Sequence, residues 1–262
     1  MHRLYTFLGG LLLCAFGACS PPRFMYSPSA VNVPDFTRAG QGQTTAAISP
    51  HGLDLQGGYA FTDHWAVQGN VYGRASNWVY KRNEMTSEGL EAQKVRYRRF
   101  LAGIALTYFG QLDQQQRYYW SVSAGYNRGS LHMWQRDRTS HPEEGTSFTS
   151  YHYRARSQRL MAQAAVMRTW PRSRLLLSFR ETAMIQTHQR SDFAPGDIQL
   201  ESGRSYYFAE PALTYIYLPK GVPWMGIRLQ YGGAIRPTDL RFDILPQIAN
   251  IGLTFYPGKS RQ

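Results

Sequence analysis

The chain has 262 residues, of which 43% are hydrophobic, 14% aromatic and only 18% charged, with a formal net charge of +12. That aromatic content and low charge density exclude a disordered chain, and no apolar run beyond residue 18 approaches the ~20 residues a spanning helix needs. With 24 glycines, 18 tyrosines and 6 tryptophans, the remainder suits an all-β protein.

The first residues, MHRLYTFLGGLLLCAFGACS, join a basic start (His2, Arg3) to an apolar stretch from Phe7 to Phe16 and small residues before Cys19. This is the pattern of a secretory signal, residues 1–18. Cys14 leaves with the signal, so Cys19 would be the only mature cysteine and no intramolecular disulfide can form. A cysteine at the cleavage junction is best used as a lipid anchor. Residues 19–42 carry Pro21, Pro22, Pro28 and Pro34 and end on Gly40 and Gly42, which predicts an irregular, lipid-anchored linker.

From about residue 43 to 257 apolar residues recur at every second position. Leu53, Leu55, Tyr59 and Phe61 alternate with Asp54 and Gln56; Phe100, Ile104, Leu106 and Tyr108 alternate with Arg99, Gly103 and Thr107. Strict alternation over such lengths predicts strands with two unlike faces. Ten are expected, over 43–49, 52–61, 65–76, 94–108, 117–131, 149–169, 174–187, 205–217, 224–234 and 247–256. A change of phase near Gln158–Leu160 predicts a bulge there. Residues 258–262 form a short tail.

Short connections (62–64, 109–116, 170–173, 218–223) alternate with long polar ones (77–93, 132–148, 188–204, 235–246). That pattern predicts an antiparallel up-and-down transmembrane β-barrel, with short turns in the periplasm and long loops outside. Folding the strands about the short turns brings polar against polar: Gln56 opposite Asn70, Thr107 near Ser121, Gly103 near Gly125, Arg180 opposite Gln163, and Glu210 beside Gln230. Trp65, Trp120, Trp170 and Trp224 sit beside short turns with Phe61, Tyr108, Tyr118, Tyr217 and Tyr256, while Trp78 and Trp134 sit at the opposite strand ends. Indole favours the headgroup level, so the tryptophans read as two aromatic belts of an outer-membrane protein.

Phe16-Gly17-Ala18-Cys19 resembles a lipobox. Together with Asn32-Val33-Pro34, the run from Gly52 to Ala60 and Thr62-Asp63-His64, it resembles uncharacterised outer-membrane β-barrel lipoproteins of the Bacteroidota. The resemblance implies location and fold; that family has no assigned reaction, so it implies no catalytic residues. Surface-exported lipoproteins of that group often carry an acidic cluster after the cysteine. Ser20-Pro21-Pro22-Arg23 has none, which implies an anchor facing the periplasm, with both termini there.

Catalytic signatures are absent from the sequence. The seven histidines show no zinc-ligand spacing, and there is no nucleophile elbow or phosphate-binding glycine loop. No cofactor, metal or enzymatic activity is expected. The inward charges Asp54, Arg74, Arg180, Glu210 and Arg228 are expected to pair across the lumen, with Asp54/Arg74 and Glu210/Arg228 as diagonal pairs. The excess of positive charge lies toward the long loops. An exported protein has no use for nucleic acid there, so outer-membrane lipid and the phosphates of lipopolysaccharide are the expected partners, with Arg96 and Arg98 on the lipid-facing parity. A structural, adhesive or surface-interaction role is expected, with a narrow solute channel as the alternative and a lipid- or peptide-acting enzyme behind it.

Overall fold

The computed structural model describes residues 26, 28–49, 52–86, 89–141, 145–192, 203, 205–235 and 247–257. The expected signal, Cys19 and the tail 258–262 lie outside the described residues. Ten strands alternate in direction: β1 (Gly42–Ser49), β2 (Gly52–Ala60), β3 (Trp65–Thr86), β4 (Gly89–Gln111), β5 (Tyr118–His141), β6 (Gly145–Trp170), β7 (Ser173–Ser191), β8 (Ser205–Tyr217), β9 (Met225–Gly233) and β10 (Gln247–Phe255). Each pairs antiparallel with its sequence neighbours, and β1 closes on β10 from Thr44↔Phe255 to Ile48↔Ile251. The fold is a closed, all-β, up-and-down barrel.

The faces follow the alternation. Gln43, Thr45, Asp54, Gln56, Gln68, Thr107, Ser121, Gln163, Thr214 and Gln230 are buried on the inside, while Leu53, Leu55, Val67, Ile104, Leu106, Leu160, Leu177, Leu213 and Ile251 are exposed on the outside. A soluble barrel would bury its apolar side chains inward; this one turns them out as a continuous band.

The walls are of unequal height. β1 and β2 have 8 and 9 residues, whereas β5 and β6 have 24 and 26. Three of the expected long loops are therefore corrected: much of 77–93, 132–148 and 188–191 is strand, paired for instance as Lys94↔Val79, Gln135↔Tyr151 and Arg154↔Arg190. These stretches carry no unbroken apolar face, so their alternation is silent in the sequence although the ladder continues.

Registers are corrected in two places. Thr107 pairs with Ser123 and Gly103 with Asn127, two residues from expectation but on the same face. Gln230 pairs with Thr214 rather than lying beside Glu210. A register shift does occur between Arg156 and Ser157, but the extra residue is Thr187 on β7: Arg156 pairs with His188 and Ser157 with Gln186. β6 keeps its odd-numbered residues inward throughout, so the bulge lies on its partner.

Candidate functional site

The lumen is occupied by the chain itself. Residues 28–36, expected as part of a linker outside the barrel, run through its centre as irregular, almost wholly buried chain. Proline and the lack of a neighbouring strand leave this segment's backbone polar groups without a ladder, and the inward side chains of the wall take the ladder's place. Asp54 accepts the Ala30 N–H at 3.2 Å, and Gln56 donates to the Ala30 carbonyl at 3.1 Å. Gln230 accepts the Val31 N–H and donates to the Val31 carbonyl, both at 2.9 Å. Arg228 donates to the same carbonyl at 2.6 Å, Gln163 to that of Asn32 at 2.9 Å and Arg180 to that of Ser29 at 2.9 Å.

Both ends of the plug are pinned. At the short-turn end Asp35 forms an ion pair with Arg174 and accepts the Tyr256 hydroxyl at 2.7 Å. Phe36 packs there with Ala60, Ala66 and Phe109. In the half of the barrel nearer the long hairpins, Tyr26 stacks on Phe208 at 3.6 Å and donates to Glu210 at 2.7 Å. Arg159 lies over its ring at 4.6 Å.

The expected charge pairs are rearranged by this occupant. Glu210 pairs with Arg180, opposite it on β7, at 2.6 Å, and not with Arg228, which serves the plug and Gln56. Asp54 serves Ala30, and Arg74 lies across from Arg99, so the Asp54/Arg74 diagonal is not made. No alternation could reveal the plug. Its trace in the sequence is the surplus of inward Gln, Asp and Arg, too many to satisfy one another.

Outside, the lower aromatic belt is assembled. Tyr108 lies 4.9 Å from Trp65 and 5.6 Å from Trp120, and Trp224 stacks on Phe255 at 6.1 Å. Arg168 lies over Trp170 at 4.7 Å. Tyr256 is removed from this belt, since it points inward to Asp35. At the other end Arg96 lies over Trp134 at 5.2 Å; the side chain of Trp78 lies outside the described residues.

Arg96 and Arg98 are exposed on the outward face of β4. Arg98 begins a row of outward cationic or imidazole groups running across four strands, Arg98↔His132↔Arg154↔Arg190, with Arg156↔His188 beneath it. The sequence showed the positive excess but not that successive hairpins join it into one continuous row.

No protein-family model and no curated protein sequence matches the chain. Among solved structures it is similar to OmpTdeltaL8, a loop L8 deletion mutant of OmpT, an outer membrane protein of Vibrio cholerae. The identity is 9% and the TM-score 0.27, over 82% of this chain and 97% of that one.

Proposed function

We propose that the protein is a self-plugged outer-membrane barrel with a structural, adhesive or surface-interaction role and no catalytic activity. The observation that carries this is the buried segment 28–36 inside the lumen, held at both ends and along its length. A narrow channel needs a continuous polar path, and here Asp54, Gln56, Gln163, Arg180, Arg228 and Gln230 are spent on the plug. The outward apolar band, bounded below by Trp65, Trp120, Trp170 and Trp224, supports the membrane setting.

In this reading lipopolysaccharide is the partner of the raised wall. The row from Arg98 to Arg190, with Arg96 beside it, stands above the apolar band, where lipid phosphates lie. The lipoprotein reading keeps Cys19 acylated, as in the Bacteroidota proteins that the chain resembles. Gly42 and Phe255 both lie at the short-turn end, as an even strand number requires, but the plug climbs back through the barrel to Tyr26. Cys19 precedes Tyr26 by about seven residues, a reach of roughly 25 Å. That reach does not choose between the leaflets, and an anchor facing the periplasm, as the sequence suggests, stays the proposal.

Conductance in planar bilayers tests the central claim. Wild type should give no stepwise current, and ohmic steps from intact protein would restore the channel reading. For the partner, Arg98→Ala/Arg154→Ala should co-purify with less lipopolysaccharide at low salt, and an unchanged ratio would return these arginines to general surface charge. For the anchor, a fatty-acid probe should label wild type and not Cys19→Ala.

A further inference from the structure

The outward apolar band contains an anomaly on one side. Between the Trp120 level and the Phe100 level, the described outward positions of β1–β4 and β8–β10 are apolar, aromatic, small or hydroxyl-bearing. On β6 the outward Gln158 is polar, and on β5 and β7 two outward charges break the pattern, Arg128 and Glu181. Both are exposed, and neither makes an ion pair among the described residues. Arg128 lies between Ala102 and Gln158, and Glu181 between Ala162 and Ala209.

Their positions are related. Arg128 pairs with Gln158 and Glu181 with Ala162, so the two charges flank β6 symmetrically about the exposed Leu160. With strands about 4.8 Å apart and a rise of about 3.3 Å per residue, their Cα atoms are roughly 16 Å apart, too far for their own side chains to meet.

They nevertheless share a depth. Rows of paired residues climb toward higher strand numbers: the row leaving Thr45 near the short-turn end of β1 passes through Gln56, Asn70, Gly103, Asn127, Arg159 and Met184 to Tyr206, near the far end of β8. At a strand tilt of about 40°, stepping back from β7 to β5 descends about 6 Å, and the four residues up β5 to Arg128 regain about 10 Å. The two charges thus lie within about 4 Å of one level, inside the apolar band. A two-fold axis along the membrane normal, passing outside Leu160, would bring each onto the other in a second copy.

We propose that the β5–β7 face is a self-association surface, where Arg128 of the partner subunit meets Glu181 and the partner subunit's Glu181 meets Arg128. This rests on the membrane reading, because the charges need a partner only where water is absent. A second copy fits better than a lipid headgroup, since the site asks for both signs of charge at one depth below the headgroups. The surface also offers a concavity for apolar side chains: a groove of about 470 Å³ beside Glu181 is lined by Ala124, Leu160, Ala162, Ala183, Tyr207 and Ala209.

The test uses the full chain purified from the outer-membrane fraction and reconstituted in lipid vesicles, with association read by energy transfer between labelled copies. Wild type should associate. Arg128→Glu and Glu181→Arg should each weaken association at least tenfold, and the double exchange should restore it. Leu160→Cys should cross-link on oxidation while Leu55→Cys, on the far side at β2, should not, which reads the face without altering either charge. Heat-modifiable migration verifies that each variant is a folded barrel. A monomeric wild type in the outer-membrane fraction, or a double exchange no better than the single ones, would overturn the dimer alone. Absence of the protein from that fraction would overturn the membrane reading itself.

Discussion

Arg180 and Glu181 are consecutive residues that face opposite solvents. Inside, Arg180 meets Glu210, which is 0% exposed and also accepts from Thr182 at 2.9 Å and Tyr26 at 2.7 Å. Outside, Glu181 lies between two alanines with no such set of donors. The same charge is thus treated in two ways. In the lumen the chain supplies the partners of Glu210, bringing its own N-terminal Tyr26 to do so; on the outer face the partner must come from another molecule. Charge removal should therefore have opposite signs on the two faces.

The largest effect is expected at Glu210. Glu210→Ala leaves Arg180 buried without its carboxylate and Tyr26 without its acceptor, and breaking a buried pair this way costs about 3–5 kcal/mol. Urea unfolding from lipid vesicles measures it. Asp35→Ala follows at about 2–3 kcal/mol, since it removes the acceptor of Arg174 and Tyr256 at the plug's short-turn end. It should also admit current in planar bilayers, which Glu210→Ala need not do, because Asp35 fastens the plug where it enters. Equal stability of Asp35→Ala and wild type would show that the plug is held mainly by its backbone bonds. In dilute vesicles, where copies are apart, Arg128→Ala should instead stabilise the barrel by about 2 kcal/mol, the cost of an arginine on the lipid face being greatest toward the midplane.

The sequence made the barrel legible and the plug illegible for one physical reason. A strand crossing a boundary between lumen and lipid must alternate, so Leu53-Asp54-Leu55-Gln56 announces both its conformation and its faces. Where β5 and β6 rise beyond that boundary, as at Arg136↔Ser150 and Asp137↔Thr149, both faces meet similar surroundings and the signal vanishes although the ladder continues. The plug has no period at all. It is recognised by side chains distant in sequence, Gln230 and Arg228 among them, whose number hinted at an unseen partner without saying that Val31 would be it. The pairing of Arg128 with Glu181 required registers across three strands, which alternation alone leaves free to slide by two.

The smallest expected effect separates depth from charge. Arg168 and Arg128 are both exposed arginines on the outward face of neighbouring strands, β6 and β5. Arg168 lies in the lower belt, over Trp170 at 4.7 Å and Tyr118 at 5.3 Å, where its head reaches water and its cation meets two ring faces. Arg168→Ala should therefore destabilise the barrel by about 0.5–1 kcal/mol, the worth of an exposed cation–π contact. Removal of Arg128 under the same dilute conditions should stabilise it. If both alanine variants shift stability in the same direction, depth does not distinguish them. The apolar band would then be placed wrongly, and the argument that Arg128 needs a partner would lose its ground.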